Sequence, residues 1–143
     1  MLIGEYQHTL DEKGRLTIPA RFREDLGDRF ILTKGLDGCL FGYPLAEWKA
    51  LEAKLRALPM TKADARAFVR LLLAGANECE LDRQGRFVLP NSLREHAAIT
   101  KEAVITGVST RIEIWSKQRW EEYKGKAEGQ FETVAEGIEG IGF

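Results

Sequence analysis

The sequence predicts a mixed α/β, β-rich chain built from two copies of one small unit, with flanking helices. Three observations carry this expectation. Residues 10–24 read LDEKGRLTIPARFRE, and residues 81–95 read LDRQGRFVLPNSLRE, an internal repeat. In each copy, turn chemistry is followed by an alternating apolar run, the period of a half-buried strand. Farther along each copy, apolar residues fall at helical spacing.

At an offset of 71, seven of the fifteen positions are identical: Leu10/Leu81, Asp11/Asp82, Gly14/Gly85, Arg15/Arg86, Pro19/Pro90, Arg23/Arg94 and Glu24/Glu95. Ordinary residue frequencies give about one match by chance. Phe30–Thr33 lines up with Ala103–Thr106, and Trp48 with Trp120. The expected units are 1–76 and 77–143. A unit of this size has a thin core and usually needs a partner.

Within the first unit, Ile3–Leu10 reads as a strand ending at a turn. In the turn Asp11-Glu12-Lys13-Gly14, the Asp side chain bonds its own backbone and Gly takes a positive φ. Arg15–Ile18 reads as a returning strand with Leu16 and Ile18 on one face. Pro19 suits the first position of a short helix carrying Phe22 and Leu26, which Gly27 ends. Phe30–Thr33 and Cys39–Tyr43 read as a further strand pair. Leu45, Trp48, Leu51, Leu55 and Leu58 then predict a helix, as core or intersubunit packing. Thr61 and Asp64 are expected to cap another, with Phe68, Leu71 and Leu72 facing inward. The second unit repeats the pattern, with a helix from about Ser116 and a glycine-containing tail.

Composition narrows the classes. The apolar fraction is 44% and the charged fraction 30%, ordinary for a globular chain. There is no long apolar run of membrane-spanning type and no secretory leader pattern, so a cytoplasmic location is expected, with no membrane partner. Cys39 and Cys79 are read as free thiols. His8, Cys39, Cys79 and His96 share no zinc-type spacing, so no metal is expected. No phosphate-cradling glycine motif and no catalytic constellation is present, so neither cofactor, small-molecule substrate nor enzymatic activity is expected.

Net charge is −1, but it is uneven. Residues 120–143 carry −4, leaving +3 on residues 1–119. Windows 10–23 and 81–94 each carry +2. Positive charge is thus focused on the two repeated loops. Lys and Arg there suit phosphates, Arg suits guanine edges and Gln suits adenine. Two-stranded ribbons enter the major groove. Asp11 and Asp82 would be repelled by DNA; they are read as holding the loop and aiming Arg15 and Arg86. A purely structural Asp–Arg turn is the competing reading of a single such loop. Two copies, each followed by apolar-x-apolar-Pro and an Arg-bearing helix, favour a functional loop.

The pattern D-x-x-G-R-apolar-x-apolar-P resembles the swapped-hairpin DNA-binding unit of AbrB- and SpoVT-type regulators. With the strings GEYQHTLDEKGRLTIPARFRE, LTKGLDGCLFGYP and IEIWSKQRW, the chain closely resembles the MraZ family of bacterial transcriptional regulators over most of residues 1–124. The resemblance implies a pseudo-twofold pair of AbrB-like units in a ring-like homo-oligomer. It also implies recognition of short G-rich direct repeats in double-stranded DNA, and autoregulation of a division and cell-wall gene cluster. The family's D-x-x-x-R motif falls on Asp11 to Arg15 and on Asp82 to Arg86.

The expected DNA-binding residues are therefore Lys13, Arg15, Arg83, Gln84 and Arg86. Arg21, Arg23 and Arg94 are second-tier phosphate contacts. Asp11, Gly14, Asp82 and Gly85 orient the loops. The function expected is a repressor-type regulator associated with the nucleoid. Its rivals are a non-enzymatic oligomeric scaffold whose Asp–Arg loops are assembly contacts, and a hydrolase for which no residue set is found.

Overall fold

The computed structural model describes residues 1–142. The first half contains β1 (Leu2–Thr9), β2 (Arg15–Thr17), α1 (Ala20–Leu26), β3 (Arg29–Lys34), β4 (Leu40–Pro44), α2 (Leu45–Arg56) and α3 (Ala63–Ala74). The second contains β5 (Asn77–Glu80), β6 (Arg86–Val88), α4 (Asn91–His96), β7 (Glu102–Ser109), β8 (Ile112–Ser116), α5 (Lys117–Gly129) and α6 (Phe131–Glu136). Helix and strand alternate as a mixed α/β fold in which antiparallel pairing dominates.

Six strands form one sheet in the order β1-β7-β8-β4-β3-β5, and every pairing in it is antiparallel. The order is palindromic with respect to the repeat. Hairpins β3–β4 and β7–β8 sit in the middle, joined by β4 and β8. Each edge is supplied by the opposite copy: β1 lies on β7, and β5 lies on β3. β2 and β6 form a separate two-stranded ribbon.

This corrects the expected hairpin. The segment Arg15–Thr17 does not return along Ile3–Leu10. It pairs with Arg86–Val88 of the other copy. Backbone satisfaction explains the choice. β7 offers β1 a ladder running from Leu2↔Ser109 to Thr9↔Glu102, whereas β2 is three residues long. The long pairing leaves fewer N–H and C=O groups without partners.

One hydrophobic core serves both copies. Leu16, Ile18, Phe22, Phe30 and Leu32 pack in the same cluster as Phe87, Leu89, Leu93, Ile105 and Ile114. Phe30 and Phe87 meet edge-to-face at 5.2 Å, one from each copy. Tyr43 packs on Trp48 at 5.8 Å, and Trp115 on Trp120 at 5.3 Å, so the strand-to-helix corner is built twice with the same aromatic spacing. Gly107 is needed where β7 lies closest to its neighbour β1. A Cβ there would lie 2.4 Å from the Leu2 carbonyl carbon.

Several local expectations are revised. Pro19 is the N-cap of α1 and the helix starts at Ala20. The N-cap of α3 is Lys62, and no side chain caps it, so Thr61 and Asp64 form no capping box. Leu72 is buried, but Phe68 and Leu71 are exposed, because α3 lies at the margin of the sheet against β3 and only one line of it meets the body. Leu55 of α2 is buried while Leu45 is exposed. No helix among the described residues is long and apolar enough to cross a membrane.

Candidate nucleic-acid interface

The two repeated loops are superposable in their bonding. Asp11 Oδ1 accepts from the backbone N–H groups of Lys13 and Arg15, each at 2.9 Å. Asp11 Oδ2 accepts from Arg15 Nε at 2.6 Å. In the second loop, Asp82 Oδ1 accepts from the N–H groups of Gln84 and Arg86 at 2.9 Å, and Oδ2 accepts from Arg86 Nε at 2.9 Å. Gly14 and Gly85 hold φ of 74° and 75° in the left-handed region, where a Cβ would be strained. One carboxylate therefore closes the turn with one oxygen and fixes the guanidinium with the other.

The charge state of the Asp is set by the same bonds. The Arg15 backbone N–H holds the Asp11 carboxyl below the usual carboxylate range, against the opposing effect of burial. The Arg15 side chain and the Lys13 N–H add to it. Asp82 is lowered in the same way by Arg86, first through its backbone N–H, and by Gln84. Each Asp stays anionic and each Arg stays clamped. Because only Nε is spent on the clamp, the two terminal nitrogens of Arg15 and of Arg86 make no bond among the described residues.

The loops are also tied to each other. Ile18 donates its N–H to the Gly85 carbonyl at 2.9 Å, and Leu89 donates to the Gly14 carbonyl at 3.0 Å. Between these bonds runs the β2–β6 ladder, with Arg15 opposite Val88, Leu16 opposite Phe87 and Thr17 opposite Arg86. Leu16 and Phe87 point into the core, so Arg15, Thr17, Arg86 and Val88 share the outer face. The structure thus brings both D-x-x-x-R motifs onto one ribbon.

The remaining sequence-derived residues fall into two groups. Lys13, Arg83 and Gln84 are exposed at the loop tips, and Arg21 is exposed on α1. Arg23 and Arg94 are engaged with backbone. Arg23 Nε donates to the Ile18 carbonyl at 2.9 Å, and its guanidinium lies over Gly85. Arg94 donates from Nε to the Ile99 carbonyl at 2.8 Å and from Nη2 to Thr100 at 2.7 Å. Arg23 therefore ties the end of β2 to the second loop, whereas Arg94 ties α4 to the connection that leads into β7. Sequence reasoning did not single out Val88, a residue 63% exposed on the strand opposite Arg15. The signal was present: Val88 occupies the outward position of an alternating strand, where its counterpart is Thr17.

Comparison with known proteins follows this duplicated geometry. The family described as "MraZ protein, putative antitoxin-like" matches twice, over residues 1–71 and 72–138. The chain belongs to the MraZ family. A protein of Pelotomaculum thermopropionicum named "Transcriptional regulator MraZ" is 64% identical over 138 residues, covering 96% of this chain and 95% of its own. Proteins with the same name from Thermoanaerobacter sp. and Desulfitobacterium hafniense are each 60% identical, covering 99% of both chains. Each half of this MraZ chain matches the family separately, as the internal repeat and the palindromic sheet both require.

Proposed function

We propose that this chain is a sequence-specific DNA-binding transcriptional regulator, not an enzyme, that engages double-stranded DNA through loops 11–15 and 82–86. The observation that carries the reading is the pairing of two clamped arginines on one ribbon, with their terminal nitrogens making no bond among the described residues. Such a fork meets the two acceptors of a guanine edge. Lys13 and Arg83 neutralise phosphates, and Gln84 assists base readout. Arg21 adds a phosphate contact, with Arg23 and Arg94 contributing through whatever part of their guanidinium is left over from the backbone.

In this reading the units 1–76 and 77–143 each contribute one loop. The chain self-associates into a ring-like homo-oligomer, and the repeated +2 loops form a basic track on a near-neutral protein. Short G-rich direct repeats then meet successive subunits, and weak contacts add through effective concentration. The regulator sits on the nucleoid and represses the division and cell-wall gene cluster that contains its own gene. The family membership and the names of the relatives support the regulator reading; the G-rich repeats and the autorepression rest on the resemblance of the motifs.

The test is a titration of labelled duplex with G-rich direct repeats against a scrambled duplex of the same composition. Tight repeat-dependent binding that weakens steeply with salt is the expected result. Absence of binding to either duplex at low salt overturns the reading and leaves the Asp–Arg loops as assembly contacts.

A further inference from the structure

The outer face of the β2–β6 ribbon holds Arg15, Thr17, Arg86 and Val88, and the proposed function uses only the two arginines. The face is a small square. Arg15 stands directly opposite Val88, and Arg86 directly opposite Thr17. Opposed residues of an antiparallel pair lie about 5 Å apart. Residues two apart on one strand lie about 7 Å apart, close to two base-pair steps of about 3.4 Å each. Arg15, Thr17 and Arg86 are half-buried, and Val88 alone of the four is exposed.

The clamps account for this difference. Asp11 holds Arg15 Nε and Asp82 holds Arg86 Nε, so each guanidinium stays beside its own turn. A base edge within bonding distance of Arg15 is therefore also close to Val88. Against phosphate or sugar, the methyl groups of Val88 would meet polar atoms. In the major groove the apolar group on offer is the 5-methyl of thymine. Strand propensity alone would suit a β-branched residue here, and a single exposed apolar side chain is ordinary. Val88 differs in its place, on the one exposed corner of the square and directly across from a clamped arginine.

We propose that Val88 is a specificity-determining residue that packs on the 5-methyl group of a thymine next to the base met by Arg15. The inference rests on DNA recognition through loops 11–15 and 82–86 and adds one base to it. The counterpart position carries Thr17, whose hydroxyl both donates and accepts and so suits several base edges. The two ends of the ribbon are thus unlike, although their Asp–Arg clamps are alike. A chain with unlike ends docks in one direction along the duplex. Chains docked in one direction read sites repeated in the same orientation, which is the arrangement of direct repeats.

The test replaces each dT of a G-rich direct-repeat duplex, on either strand and one at a time, by deoxyuridine, which lacks only the 5-methyl group. Full-length wild type, Val88→Ser and Thr17→Ser are titrated against the series. Val88 is exposed, so serine there takes nothing from the core, and circular dichroism checks that each variant keeps its fold. In wild type, one dT per repeat is expected to sense the change, with affinity falling about fourfold, the worth of burying one methyl group. Val88→Ser is expected to bind both duplexes alike at that position and still to prefer repeats over a scrambled duplex. Thr17→Ser is expected to keep the wild-type sensitivity there. A wild type indifferent to every replacement overturns the role of Val88, as does a Val88→Ser chain as sensitive as wild type or a Thr17→Ser chain that loses the same sensitivity. In each of those cases repeat-dependent binding by wild type leaves the DNA-binding reading standing. A wild type that binds repeats no better than scrambled duplex overturns that reading itself, and the role of Val88 with it.

Discussion

Arg15 and Arg86, 71 residues apart in sequence, stand two rungs apart on the single β2–β6 ladder. Each is held by its own Asp, at 2.6 Å and 2.9 Å. They share the ribbon's outer face, so their loss is expected to have similar consequences. Arg15→Ala and Arg86→Ala should each weaken binding to a matched duplex by about 1–3 kcal/mol and relax base preference. Lys13→Ala should instead weaken matched and scrambled duplexes alike and lower the salt slope by about one. Anisotropy titrations over a salt series separate the two patterns.

Asp11 does two jobs with two oxygens, and substitutions can divide them. Asn keeps an acceptor for the N–H groups of Lys13 and Arg15 but loses the anionic clamp on the guanidinium. Asp11→Asn should leave thermal stability close to wild type while weakening DNA binding. Asp11→Ala should lower both. Equal stability of the Ala and Asn variants would show that the turn does not depend on this acceptor.

Two kinds of group tie stability to pH, in separate windows. The carboxyls of Asp11 and Asp82 lie lower in the folded chain than in the unfolded one, so their contribution is complete above the ordinary carboxylate pKa, near 4. It is lost only as pH falls from there through the lowered folded values. His8 is lowered by burial, with Arg23 adding to the effect. Its contribution is present above the ordinary imidazole pKa, about 6.5, and declines below it. The melting temperature should therefore fall modestly between about pH 7 and pH 5, and His8→Gln should flatten that decline. An unchanged slope in His8→Gln would assign the decline to other groups.

The close approach of β1 to β7 leaves no room for a side chain at Gly107, where the nearest atoms are backbone. Gly107→Ala should force the edge strand away and cost on the order of 1–3 kcal/mol, the usual price of overpacking. Gly125→Ala, with open space around its Cβ position, should be neutral or stabilising. Denaturant midpoints of the two variants give the comparison directly.

Burial raises the thiols of Cys39 and Cys79 to about 12. Both should resist alkylation at neutral pH in the native chain and react together on unfolding. Rapid labelling of either under native conditions would show that its surroundings open.

The repeat, the turn chemistry and the strand-to-helix corners were legible in the sequence because each depends on neighbours in the chain. Asp11, Gly14 and Arg15 bond mainly among themselves, so their roles could be read from spacing alone. The partner of β2 was not legible. Periodicity says that Arg15–Ile18 is a strand, but nothing local says that it pairs with Arg86–Val88. The exposed side of α3 was missed for a related reason. Phe68 and Leu71 lie on an apolar stripe like any core stripe, and only the sheet's margin shows which part of the stripe is left uncovered. Arg23 and Arg94 looked like phosphate ligands by charge, while their Nε–carbonyl bonds depend on where α1 sits against Ile18 and where the chain runs after α4, at Ile99.

The most direct test is anisotropy with a G-rich direct-repeat duplex, comparing wild type with the Arg15→Ala, Arg86→Ala double variant, with sedimentation run on the same samples. The account predicts that the double variant loses repeat-dependent binding and keeps the wild-type assembly size. A double variant that binds like wild type, or one that loses its assembly together with its binding, would contradict the placement of DNA on these loops.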